Sequence, residues 1–215
     1  MPAKIPFQIE KYYTDALSEE ELAEALAKEF TEIYGCNIEV KPKDEGIVGS
    51  APEVNAKEIV MALIKMEKEL HRYTPKAIST ANISSIVLAH QWMVYTGQSV
   101  GGLVTHPPGG LVRKVYLDLD QLNHGKFFEL SLHHEFWHCL IQEIGYNNSF
   151  LRKYEAIAQS GYISGYARSG GMDEDLAENW ANYMVSGNAI ASKLELQLKD
   201  YGWILRDIND KSSIK

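Results

Sequence analysis

The sequence predicts an α+β fold, mainly helical, with a small mixed or antiparallel sheet of three or four strands beside one central helix. Apolar residues recur at helical spacing over residues 19–34 and 55–73 and again from residue 127 onward. Apart from a short run at 37–41, β-rich runs bounded by turn residues take over between residues 83 and 119. The stretch 127–144, directly after those runs, is apolar around most of its circumference, the pattern of a helix buried among other elements. At 215 residues the chain fits one domain, residues 1–215, with a substantial core. Within it we distinguish a helical part over 1–75, a central part over 83–186 and a last helix over 189–210.

Taken in order, Ser18 with Glu21 forms a capping box, and Leu22, Ala25, Leu26, Phe30, Ile33 and Tyr34 follow at helical spacing until Gly35. Residues 37–41 alternate in polarity and read as a short strand stopped by Pro42. Asn55 with Glu58 caps a second helix, which carries Ile59, Val60, Leu63, Ile64, Met66 and Leu70 to about Tyr73. Residues 83–89, 100–105 and 111–119 read as strands, the last two joined by the turn His106-Pro107-Pro108-Gly109-Gly110. Gly101-Gly102 has no side chains to shield a sheet edge, so it marks either a place where another backbone adds as a strand or a bulge. The central helix begins near Phe127 and stops at Gly145. Residues 150–166 give a mixed signal, a short helix followed by a loop around Gly161 and Gly165. Residues 172–185 are helical up to Gly187, and Ser192 with Glu195 opens a final helix reaching Ile208.

Composition narrows the function classes. A net charge of −8 argues against a nucleic-acid or anionic-membrane surface as the main partner, and it leaves a peptide or small substrate open. Two cysteines, Cys36 and Cys139, are too few for a Cys-rich structural zinc site or a disulfide framework. That leans towards a reducing, cytoplasmic compartment, although a secreted protein that has lost its signal peptide would look the same. No run approaches the length of a membrane-spanning helix.

The central helix carries His134-Glu135-Phe136-Trp137-His138. Residues four apart lie one above the other on a helix, so His134 and His138 point two imidazoles into one coordination sphere. Glu135, turned about 100° away, is placed to address a metal-bound water. His133 is turned by the same angle from the metal face and reads as a core histidine or one that supports a ligand. Cys139 likewise reads as core. His71, His90, His106 and His124 have no motif context.

A catalytic zinc needs three protein ligands and an open position. The third is expected downstream, in Asp173-Glu174-Asp175-Leu176-Ala177-Glu178-Asn179-Trp180-Ala181. On a helix Glu174, Glu178, Ala181 and Val185 share one face, while Leu176, Trp180, Tyr183 and Met184 form the core stripe. We assign Glu174 as the ligand and Glu178 as the acceptor that holds a histidine ligand in its tautomer, with the swapped assignment open. Arg168 is expected to pair with the acidic run 173–175 rather than to bind a substrate carboxylate.

These clusters, together with Tyr166-Ala167-Arg168-Ser169, resemble gluzincin-type zinc metallopeptidases. They look like the patterns of the bacterial zinc-binding metallopeptidases and of the catalytic domain of anthrax lethal factor. The resemblance covers roughly residues 83 to 186 and implies a zincin-like fold with His134, His138 and Glu174 as ligands and Glu135 as catalytic base. It further implies that Tyr166 stabilises the oxyanion. The sequence departs from that pattern at Trp137, at Leu176 and in a Tyr166–Glu174 gap one residue longer, which keeps Tyr162 as an alternative. The expected function is therefore Zn2+-dependent hydrolysis of a peptide or protein substrate by a metal-bound water that Glu135 activates. The alternatives are a non-catalytic zinc protein that binds a peptide or partner on the same scaffold, and hydrolysis of another amide or ester.

Overall fold

The computed structural model describes residues 17–40, 53–73, 78, 81–90, 101–105, 112–144 and 164–186. Val100, the 106–110 turn, Tyr162 and the helix expected after Ser192 lie outside the described residues.

Local rules set the two N-terminal helices. Helix α1 (Glu19–Tyr34) starts on the expected box: Ser18 Oγ accepts from the Glu21 amide at 3.2 Å, and Glu21 accepts from the Ser18 amide at 2.8 Å. It ends on Gly35, whose φ of 74° is the left-handed cap that glycine supplies without strain. Helix α2 (Ala56–Leu70) starts on the equivalent Asn55/Glu58 box and packs along α1, burying Ala62, Leu63, Met66 and Leu70.

The sheet is mixed and four-stranded, in the order β1-β2-β4-β3, with β1 (Asn37–Val40), β2 (Ile83–Ala89), β3 (Gly102–Thr105) and β4 (Arg113–Asp118). The pairs β1–β2 and β2–β4 are parallel, whereas β3 runs antiparallel to β4 with Gly102 opposite Leu117 and Thr105 opposite Lys114. Alternation sorts the side chains. Ile86, Leu88, Val115 and Leu117 enter the main core, while Val87, Ala89, Tyr116 and Leu103 form a small cluster of their own. The register irregularity of the sheet falls between Ile83 and Ser85, not at Gly101-Gly102.

Beyond β4 a 3-10 turn (Leu119–Asn123), capped by Asp118, leads into α3 (Phe127–Ile144), the central helix. This helix packs against β3, β4 and α2. Helix α4 (Gly165–Gly170) occupies part of the stretch expected as a loop, because the Ser164 hydroxyl accepts from the Ala167 amide at 2.9 Å and starts a turn among the glycines. Helix α5 (Met172–Ser186) follows and lies against α3. Phe128, Leu132, Phe136, Trp137 and Leu140 from α3 meet Leu176, Trp180 and Met184 from α5 in one core with the sheet and α1–α2. No described helix is long and apolar enough to cross a membrane.

Candidate metal centre

Helical spacing brings the two imidazoles together: the Nε2 atoms of His134 and His138 are 3.2 Å apart. Helix α5 adds a carboxylate, with Glu174 Oε2 at 3.0 Å from His134 Nε2 and Glu174 Oε1 at 3.6 Å from His138 Nε2. Bonds of about 2.0–2.1 Å in a tetrahedron space the ligand atoms by about 3.3 Å. The three observed gaps bracket that value, and two imidazoles with one carboxylate are donors that zinc accepts. The residues therefore fit the ion.

Small residues permit the approach. Ala177 and Ala181 are buried where α5 meets α3, and the Trp137 and Trp180 rings lie 5.2 Å apart beside them. At Gly170 an added Cβ would lie 2.2 Å from Glu174 Cγ, so only glycine leaves that carboxylate room. Burial alone would raise the Glu174 carboxyl, but the hydrogen bond from His134 and the nearby His138 ring hold it well below the usual carboxylate range. For His138 burial pulls downward, and the bond to Glu174 with the charges of Glu135, Glu174 and Asp173 outweighs it, leaving the ring above its ordinary value.

Glu135 is buried, and desolvation is the main reason its carboxyl lies above the usual range. It sits against the edge strand: a Cβ at Gly102 would be 2.6 Å from Glu135 Cγ and 2.8 Å from Oε1. At Gly101 the same addition would strike Gln121 and Ser131, which are hydrogen-bonded to each other at 2.7 Å. The glycine pair thus exists because side chains of α3 and the 3-10 turn occupy the Cβ positions, which neither sequence-based reading anticipated.

Tyr166, at the start of α4, is half exposed with its ring 6.2 Å from that of His134. Burial first, and then the Glu174 and Glu135 charges, push its phenol up to about 12, so it is a protonated hydrogen-bond donor at neutral pH. Glu178 shares the helix face of Glu174, yet it makes no hydrogen bond to either histidine. The carboxylate nearest the outer nitrogen of His138 is instead Asp173, at 3.9 Å from Nδ1. The sequence reading placed Asp173 only in the acidic run 173–175. Arg168 is exposed and forms no ion pair with residues 173–175 among the described residues, so the expected bridge is not made.

His133 faces away from the cluster and is fully buried. Its Nδ1 lies 3.0 Å from Tyr73 Oη and its Nε2 3.2 Å from Glu69 Oε2. Cys36 and Cys139 are core residues, and burial pushes the Cys36 thiol up to about 12. A second group of ligand-type side chains, His90, Asp118 and Asp120, meets at the C-terminal ends of β2 and β4. There the His90 ring lies between Asp120 (2.7 Å) and Glu58 (3.1 Å). Burial lowers its pKa, but these two bonds outweigh burial and raise it, as for an imidazolium held between carboxylates.

No protein-family model matches the chain, and no curated protein is significantly similar to it.

Proposed function

We propose that the protein is a zinc-dependent peptidase of the gluzincin type, with His134, His138 and Glu174 holding Zn2+. One observation carries the reading. A carboxylate 40 positions downstream arrives with one oxygen 3.0 Å from the His134 ring and the other 3.6 Å from the His138 ring, while Glu135 stands buried beside them. A structural metal site has no use for a free buried carboxylate at that position, and a hydrolase does.

Bound zinc would supply Lewis-acid polarisation of a carbonyl and a water acidified to a pKa of about 7. Glu135, its basicity raised by burial, takes the proton of the attacking water on its carboxylate and returns it to the departing amine. Tyr166 donates its phenolic hydrogen to the oxyanion that develops on the former carbonyl oxygen.

A peptide is favoured over other amides by the edge strand. Among the described residues β3 pairs on one side only, with β4, and Gly102 sits against Glu135. An extended peptide adding to the other side of β3 would run its backbone past that carboxylate. The test is Glu135→Gln with zinc analysis and a peptide-library digest. Retained zinc with lost hydrolysis supports a peptidase. Wild-type protein that holds zinc and cuts nothing would instead mark a peptide-binding module.

A further inference from the structure

Behind the metal cluster, on the core side of α3, lies a chain of buried polar groups that no catalytic step uses. Trp180 Nε1 donates to Tyr73 Oη at 3.0 Å, Tyr73 Oη is 3.0 Å from His133 Nδ1, and His133 Nε2 is 3.2 Å from Glu69 Oε2. Trp180, Tyr73 and His133 are all fully buried. Only one proton arrangement satisfies every atom. The indole N–H goes to the phenol oxygen, the phenol O–H to Nδ1, and Nε2–H to the Glu69 carboxylate, with a neutral imidazole in the middle. Burial also lowers the His133 pKa, consistent with that neutral ring.

The chain ties together the elements on which the metal ligands stand. His133 precedes His134 on α3, Trp180 lies on α5 six positions after Glu174, and Tyr73 and Glu69 belong to α2 and its end. Six positions are about 9 Å along a helix and about 240° around it, so Trp180 grips α5 on the face turned away from Glu174. Apolar packing tolerates a small slide of one helix over another, because dispersion contacts have no preferred direction. A directional bond between buried partners does not: a slide of one residue rise, about 1.5 Å, would break it.

We infer that Tyr73 is a positioning residue for the metal centre, its hydroxyl fixing the register of α5 on α3 and thereby the placement of Glu174 beside His134 and His138. The inference rests on the metal-site reading above.

The experiment compares wild type, Tyr73→Phe, Trp180→Phe and, as a control for general loss of stability, Leu26→Ala on the core face of α1, which bears none of the metal ligands. Each is checked for folding by far-ultraviolet circular dichroism and a urea midpoint. Zinc affinity is then measured by chelator competition, and the visible spectrum is recorded after loading with Co2+. The expected result is an affinity loss of about tenfold in Tyr73→Phe, the lower end for groups that orient ligands, with a smaller loss in Trp180→Phe. The cobalt bands should shift in both. Leu26→Ala should lower the urea midpoint yet keep wild-type affinity and bands. Wild-type affinity and spectrum in a folded Tyr73→Phe would overturn the inference while leaving the metal site standing, and so would equal changes in Leu26→Ala. If Tyr73→Phe does not fold, the Trp180→Phe spectrum decides in the same way. Wild-type protein that takes up neither zinc nor cobalt would overturn both readings.

Discussion

Replacing Gly102 with alanine perturbs Glu135 with a single methyl group. The backbone of Gly102 lies outside the left-handed region, so alanine is tolerated there and any effect must come through the new atom. That atom would lie 2.6 Å from Glu135 Cγ and 3.1 Å from Cδ. Ordinary carbon contacts are about 3.5–4.0 Å, so the glutamate stem must retreat by about 1 Å. Misplacing a reacting group by that distance costs about 10²-fold, or about 2.7 kcal/mol of transition-state stabilisation. None of the three ligands lies at the Gly102 Cβ position, so zinc content should not change. The assay is kcat/KM on a peptide found by library digest, with metal analysis of the same samples. A variant with wild-type kcat/KM would refute the reasoning. So would one that loses zinc in proportion to activity, since the methyl group would then act on the whole site rather than on the base.

Four further outcomes are expected. Glu174→Ala should weaken zinc binding by more than the 10–100-fold that outer partners cost, and Glu178→Ala, whose carboxylate touches neither histidine, should stay near wild type; equal losses would refute that distinction. Gly170→Ala should lower zinc affinity about 10-fold or more by pushing Glu174 off its position, read by chelator competition. His90 has its pKa raised in the folded protein, so its stabilisation is fully present below about pH 6.5 and is lost as pH rises through the raised value. Between about pH 6 and pH 9 the wild-type urea midpoint should therefore fall more than that of His90→Gln. Both buried thiols should resist an aromatic disulfide reagent at neutral pH until denaturant is added, and Cys36, raised to about 12, should remain protonated meanwhile.

Features that depend on near neighbours in the chain were legible in the sequence. The Ser18 and Asn55 boxes, the Gly35 stop and the pairing of His134 with His138 follow from spacings of three to four residues, and the two helices opened by those boxes start where the boxes indicated. Glu174 was reachable too, because helical spacing sets it on one face with Glu178, Ala181 and Val185, apart from the core stripe of Leu176, Trp180, Tyr183 and Met184. What escaped was set by tertiary approach. Tyr73 and His133 are 60 positions apart and Tyr73 and Trp180 are 107 apart, so no local period links them. Gly102 does lie on an edge strand, as one of the two readings had it, but the carboxylate filling its Cβ position comes from another element and left no local signal. Asp173 was taken only as part of the acidic run 173–175, and its approach to His138 depends on how α5 meets α3. The Ser164 turn went unseen because Gly161 and Gly165 outweighed one hydroxyl.

The 40-residue span between His134 and Glu174 also bears on the order of events during folding. Two histidines on one turn can capture an ion early and weakly, but the carboxylate arrives only after the intervening chain has closed its loop and the last described helix has docked. On the proposed metal-site reading, tight capture belongs to the late stage of assembly. A chain halted before that docking should release its ion readily to a competing chelator.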